Sequence, residues 1–208
     1  MNESLKQEII EKIVAQEGFK IIRDEAVKIF KSETLENCFS LANEFYNSKQ
    51  FQVQELGVFL FGYIVNKNTN ALHFLKEIVS QNEDWRVQEI LAMAFDSFCK
   101  ANDYEESLPV IEEWLSYECA NTRRAVTEGL RIWTGRPYFK EHPEKAIALI
   151  APLRNDKSEY VRKSVGNSLR DISKKFPELI KKELSSWDIS SKEVMQVYKL
   201  ASKLVKNK

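Results

Sequence analysis

Four stretches of this chain repeat one another. QVQELGVFLF from Gln52, RVQEILAMAF from Arg86, NTRRAVTEGL from Asn121 and YVRKSVGNSL from Tyr160 superpose with Val53, Val87, Thr122 and Val161 in register, at separations of 34, 35 and 39 residues. A period of about 35 to 40 residues that holds two helices is the signature of HEAT-type α-solenoids. No single helix pair can bury its apolar stripe alone, and stacking the pairs does so. The chain is therefore expected to form an all-α, right-handed superhelix whose inner helices line a concave groove.

Apolar residues recur at spacings of three and four throughout, and six glycines and five prolines in 208 residues leave few breaks. The pattern predicts about twelve helices and no strands, in a single repeat domain spanning residues 1–208. The helices are expected near 3–16, 19–31, 33–47, 51–66, 69–80, 84–99, 104–117, 121–133, 143–153, 158–176, 177–186 and 190–206. Pro177 suits a first helical turn, Asn82 or Glu83 begins the turn into the sixth helix, and Ser190 is the expected N-cap of the last. On the sixth helix Val87, Leu91, Ala94, Phe95 and Phe98 gather on one side, with Trp85, Glu89, Ala92 and Asp96 opposite. A large aromatic ring and an acid one turn apart, on the side a helix normally gives to water, mark this helix as the place to look for function.

Several classes of function fall away. No run of about 18 apolar residues exists, which argues against a transmembrane helix, and MNESLKQEII lacks the basic start and apolar centre of a signal peptide. A cytoplasmic protein is expected. Cys38, Cys99 and Cys119 are widely separated and read as reduced small hydrophobes. Only His73 and His142 are present, far apart in sequence, so no metal site or histidine-based nucleophile is expected.

The neutral total hides an asymmetry. Residues 1–120 hold 11 Lys+Arg against 21 Asp+Glu, net −10, and residues 121–208 hold 20 against 10, net +10. Such a split points to a polyanionic partner, or to attraction between the two halves. The repeat register helps to choose. Four residues after Trp85 stands Glu89, and the equivalent positions are Glu55, Arg124 and Lys163. The helix from Asn121 puts Val126, Leu130 and Trp133 on its core side, with Arg124, Glu128 and Arg131 opposite. The helix from Ser158 puts Val161, Val165, Leu169, Ile172 and Phe176 on its core side, with Lys163, Asn167, Arg170 and Lys174 opposite. The basic residues share a face, which suits contacts with nucleic-acid phosphates.

The segments DWRVQEILAMAFD, WLSYECANTRRAVTEGLR and SEYVRKSVGNSLRDISKKFPELI resemble the AlkC and AlkD group of DNA alkylation repair proteins, over roughly residues 50–190. The resemblance implies a helical superhelix that excises cationic N3- and N7-alkylpurines from duplex DNA, with no metal or organic cofactor, and a monomer is expected. It implies that Trp85 packs against the lesion deoxyribose, that Glu89 stands at the catalytic acid position, and that Arg124 grips a backbone phosphate. Arg131, Lys163, Asn167, Arg170 and Lys174 then join the DNA-binding face. Two departures are visible. Asn167 stands where AlkD-like members carry a second tryptophan, and the stretch after EGLR becomes LRIWTGRPYF, in which Tyr138 is the candidate replacement ring and Trp133 falls on the core side.

The chemistry explains these residue types. A purine alkylated at N3 or N7 is already a good leaving group, so the barrier is chiefly the developing oxocarbenium charge on the sugar. A carboxylate and a π face both stabilise that cation, and the carboxylate also orients water. Glutamate in place of aspartate shifts the carboxylate by about an ångström, which can cost about a hundredfold in rate. Each residue also has a plain structural reading. Trp85 can staple its helix, Glu89 can serve the helix dipole, the basic face can be merely solvated, Glu55 can keep the groove soluble, and Tyr138 can pack in its loop. The lysine-rich tail Lys199–Lys208 can add nonspecific DNA affinity or fray. The leading expectation is a DNA glycosylase, nucleoid-associated when bound to DNA. The alternatives are a repeat module that binds DNA without excision, and a scaffold for protein partners.

Overall fold

The computed structural model describes residues 1–205, and all regular structure among them is helical. Two compact units are present, Met1–Ala101 and Asn102–Lys208. Unit 1 contains α1 (Glu3–Val14), α2 (Phe19–Ser32), α3 (Leu35–Tyr46), α4 (Phe51–Ile64), α5 (Thr69–Glu77) and α6 (Trp85–Asn102), which ends at its boundary. Unit 2 contains α7 (Leu108–Leu115), α8 (Ala120–Gly129), α9 (Pro137–Glu141), α10 (Pro143–Ile150), α11 (Glu159–Ser173), α12 (Pro177–Ser185) and α13 (Lys192–Ala201). None of the described helices is long and apolar enough to cross a membrane.

The four repeating stretches become the first turns of α4, α6, α8 and α11, and their register is visible in one recurring contact. The fourth residue of each helix turns back to donate to the carbonyl six residues before it: Gln54 to Ser48 at 2.8 Å, Gln88 to Asn82 at 2.8 Å, Arg123 to Tyr117 at 2.6 Å and Arg162 to Asp156 at 2.6 Å. Each bond ties a helix start to the chain leading into it and satisfies a loop carbonyl that packing would otherwise strand. The preceding residues, Val53, Val87, Thr122 and Val161, are all buried. On α11 Val161, Val165, Leu169 and Ile172 are fully buried, each contributing about 1.5–3 kcal/mol. That stripe fixes the rotation of α11 and with it the residues left facing out.

Two glycines let helices meet closely. A methyl on Gly62 would lie 2.9 Å from the Ala94 Cβ, so α4 can rest against α6 only with glycine there. A methyl on Gly166 would lie 2.7 Å from the Leu200 Cβ, and the same holds for α11 against α13.

Most expected boundaries hold to within a few residues, and three regions differ. The helix expected over 121–133 ends at Gly129, because Ile132 takes a left-handed conformation with φ 59°. A 3₁₀ turn over Trp133–Gly135 follows, and Pro137 opens the short α9, which makes thirteen α-helices among the described residues. The helix expected from 104 starts at Leu108, after a turn around the left-handed Asp103. The last helix is capped by Ser191, whose hydroxyl accepts from the Val194 N–H at 3.1 Å. Ser190, the expected cap, lies one residue before it, in a turn where Asp188 accepts from its N–H at 2.9 Å. The regular helix ends at Ala201. Residues 206–208, where the expected helix ends and the lysine-rich tail runs out, lie outside the described residues.

Candidate functional site

The five residues predicted to face the core on α6 are buried, as are Ile90 and Ala92, so the burial reaches further round the helix than the simple stripe. Trp85 remains 69% exposed at the first position of α6, and Glu89 is half-buried one turn on. Both line a cleft of about 950 Å³ contained within unit 1. The α1–α2 turn, including Glu17 and Phe19, forms one wall, the start of α4 another, and Trp85, Arg86, Glu89, Ile90 and Met93 of α6 a third.

The repeat duplicates the aromatic–acid pair. Phe51 and Glu55 open α4 as Trp85 and Glu89 open α6, and all four line the cleft. Arg86 joins the two pairs. Its guanidinium sits 3.4 Å over the Phe51 ring and is clamped by Asp84, with Nε to Oδ1 at 2.8 Å and Nη2 to Oδ2 at 2.5 Å. The hydrogen bonds from Arg86 hold the Asp84 carboxyl below the usual range. Glu55 is only 4% exposed, and burial pushes its pKa up to about 7, against the pull of Arg86 and with the help of Asp84. Glu55 was expected to keep an open groove soluble; it is instead a buried acid poised near neutrality. The sequence signal for it was FxxxE preceding WxxxE by one repeat.

The basic residues of unit 2 fall into separate groups. Arg131, Arg170 and Lys174 converge on Asp171, at 3.4, 3.7 and 2.6 Å. Burial opposes ionisation of Asp171, but Lys174, Arg131 and Arg170 outweigh it and hold the carboxyl below its ordinary range. Arg131 also approaches Glu128 at 3.6 Å. Lys163 pairs with Glu159 at 2.7 Å and lies 5.9 Å from the exposed Tyr160 ring. Arg124 and Asn167 are half-buried on α8 and α11. Tyr138 packs against Phe139 and His142, with ring centroids 5.2 and 4.8 Å away, and Trp133 is fully buried against Phe139. Asp171, the acid around which the cations organise, was not singled out from sequence.

The charge asymmetry also softens at the structural boundary. Residues 1–101 carry 11 Lys+Arg against 15 Asp+Glu, net −4, and residues 102–208 carry 20 against 16, net +4. The six acids between Asp103 and Glu118 belong to unit 2. Among the described residues no group of three or more His, Cys, Asp and Glu side chains is arranged to hold a metal ion.

Known proteins resemble this chain in fold or in sequence. The crystal structure of AlkD2 from Streptococcus mutans superposes with a TM-score of 0.92 at 52% identity, covering 96% of this chain and 98% of that one. The alkylpurine DNA glycosylase AlkC of Pseudomonas fluorescens, solved bound to DNA containing an abasic site analog, shares the fold, with a TM-score of 0.52 at 19% identity over 88% of this chain and 60% of that one. The uncharacterized protein YhaZ of Bacillus subtilis (strain 168) is 35% identical over 89 residues, 41% of this chain, so the match spans a quarter of that protein's own length. The family model described as DNA alkylation repair enzyme matches residues 18–198. By that match, over most of its length, this chain belongs to the DNA alkylation repair enzyme family.

Proposed function

We propose that this protein binds alkylated duplex DNA and hydrolyses the N-glycosidic bond of cationic N3- and N7-alkylpurines. The observation that carries the reading is the Trp85–Glu89 pair, an exposed ring and a half-buried acid opening on the cleft of unit 1. The Glu89 carboxylate stabilises the oxocarbenium charge and orients water, and the Trp85 face lines the sugar. Arg124, Arg131, Lys163, Arg170 and Lys174 supply phosphate contacts, with Asn167 beside them. On this reading the protein is a cytoplasmic monomer, nucleoid-associated when bound to DNA.

A second reading, a family member that binds DNA without excising, is favoured by two observations. Asn167 is an amide where AlkD-like members carry a second tryptophan, and Tyr138, the candidate substitute, is packed against Phe139 and His142. The test is release of N3-methyladenine or N7-methylguanine from alkylated duplex by the wild type and by Glu89→Gln. Release that falls at least tenfold in the variant supports excision. No release by the wild type, with salt-sensitive duplex binding retained, leaves the non-excising module.

A further inference from the structure

Ile132 combines two costs. Its backbone is left-handed, with φ 59° and ψ 47°, a region in which a β-branched residue is an outlier because Cβ crowds the neighbouring carbonyl. Its side chain is also 54% exposed, so burial does not offset the strain. Glycine is the usual residue for a left-handed position just after a helix, and it would remove both costs. Strain retained in this way points towards a use for the side chain itself.

The surroundings indicate which use. The preceding residue, Arg131, reaches Asp171, which also holds Lys174 and Arg170. On the other side of the loop Arg136 Nη2 donates to the Gly129 carbonyl at 3.1 Å, at the end of α8. The Arg131 and Lys174 side chains are 41% and 58% exposed. The exposed aliphatic tip thus sits in a loop between Arg131 and Arg136, and Arg131 is tied through Asp171 to Lys174 and Arg170. That combination fits the minor groove of a duplex, where an apolar side chain wedges between base steps while cations hold the flanking phosphates.

We infer that Ile132 is a wedge residue that unstacks a base step of bound duplex DNA, seated there by Arg131 and Lys174. The inference rests on the duplex-binding reading above. It names a contact outside the cleft that holds Trp85 and Glu89, and it needs no excision.

The experiment uses the full chain and duplexes carrying 2-aminopurine, whose fluorescence rises when a base unstacks. The wild type is expected to raise the signal. Ile132→Gly and Ile132→Asn are expected to lose that rise and to bind several-fold more weakly, with melting temperatures equal to or above the wild type's. The slope of log affinity against log salt should be unchanged in both, because an apolar contact releases no counterions, whereas Arg131→Ala should flatten it by about one. If both Ile132 variants bind and unstack as the wild type does, the wedge is wrong and duplex binding stands. A wild type that binds no duplex overturns both.

Discussion

The Arg86 guanidinium lies 3.4 Å above the ring of Phe51, so the cation at the start of α6 rests on the aromatic that begins α4. Asp84 clamps the same guanidinium through two oxygens, which holds it over the ring. A lysine cannot reproduce this, because an ammonium makes no two-pronged contact with a carboxylate. Phe51→Ala and Arg86→Lys should each lower stability by about 1 kcal/mol. Combined, they should cost less than the sum, since each removes the same contact. Urea unfolding of the two single variants and the double variant measures that coupling, and strict additivity would show that the stacking contributes nothing.

Glu55 makes stability depend on pH in the direction opposite to most carboxylates. Its folded-state pKa of about 7 lies above its ordinary value of 4.5, so between those limits the folded protein holds a proton that the unfolded chain has released. Stability from this group is complete below about pH 4.5, falls as pH rises towards 7, and stays lost above it. The full swing is about 3 kcal/mol as an order of magnitude. Glu55→Gln fixes the neutral form, so it should flatten the pH dependence and stabilise the protein at pH 8 while changing little at pH 4.5. Denaturation at the two pH values checks this, and an unchanged pH profile in the variant would place the effect elsewhere.

The helical architecture was legible because it is carried by period. Val53, Val87, Thr122 and Val161 announce the repeat in sequence, and the contacts made by Gln54, Gln88, Arg123 and Arg162 confirm it in space. Trp85 and Glu89 were legible because an exposed ring beside an acid contradicts the amphipathic pattern around it. Glu55 was misread because position on a helix face does not report depth, and the α1–α2 turn that helps to enclose it is distant in sequence. The region after Gly129 was missed for a local reason. Nothing in Leu130–Ile132 signals a left-handed residue, which glycine or asparagine would have done. The basic face was read from cations in register opposite the core stripes, whereas Asp171 shows that part of that charge is neutralised within the protein.

Arg123 adds a buried ion pair to the carbonyl contacts it has in common with Arg162, which likewise reaches a second carbonyl, that of Lys157, at 3.1 Å. Besides the Tyr117 carbonyl it binds that of Glu118 at 2.8 Å. It also forms a two-pronged pair with Asp156, Nε to Oδ2 at 2.7 Å and Nη2 to Oδ1 at 2.9 Å, with both side chains largely buried. Removing one partner leaves the other charged and dry, so Arg123→Ala should cost about 3 kcal/mol or more. Gln54→Ala, which removes a neutral amide at the same repeat position, should cost about 1 kcal/mol. Equal losses by chemical denaturation would mean that the Asp156 pair adds nothing beyond the shared contact.

Asp171 restrains the basic face as well as organising it. Its carboxylate is largely buried and neutralises part of the charge that Arg131, Arg170 and Lys174 would otherwise present. Because its pKa is held below the ordinary value, the stability it contributes is present above the unfolded-state pKa of about 4 and is lost as pH falls through the folded value. Asp171→Asn should therefore destabilise the protein at pH 7 and remove that acid-side loss. On duplex DNA the same change should act the other way. It releases Lys174 and Arg131 for phosphate, so the fall of log affinity with log salt should steepen by about one. Fluorescence anisotropy across a salt series, paired with denaturation at pH 7, reads both effects. A less stable variant with an unchanged salt slope would make Asp171 a purely structural anchor, and would place the phosphate contacts on other cations of unit 2.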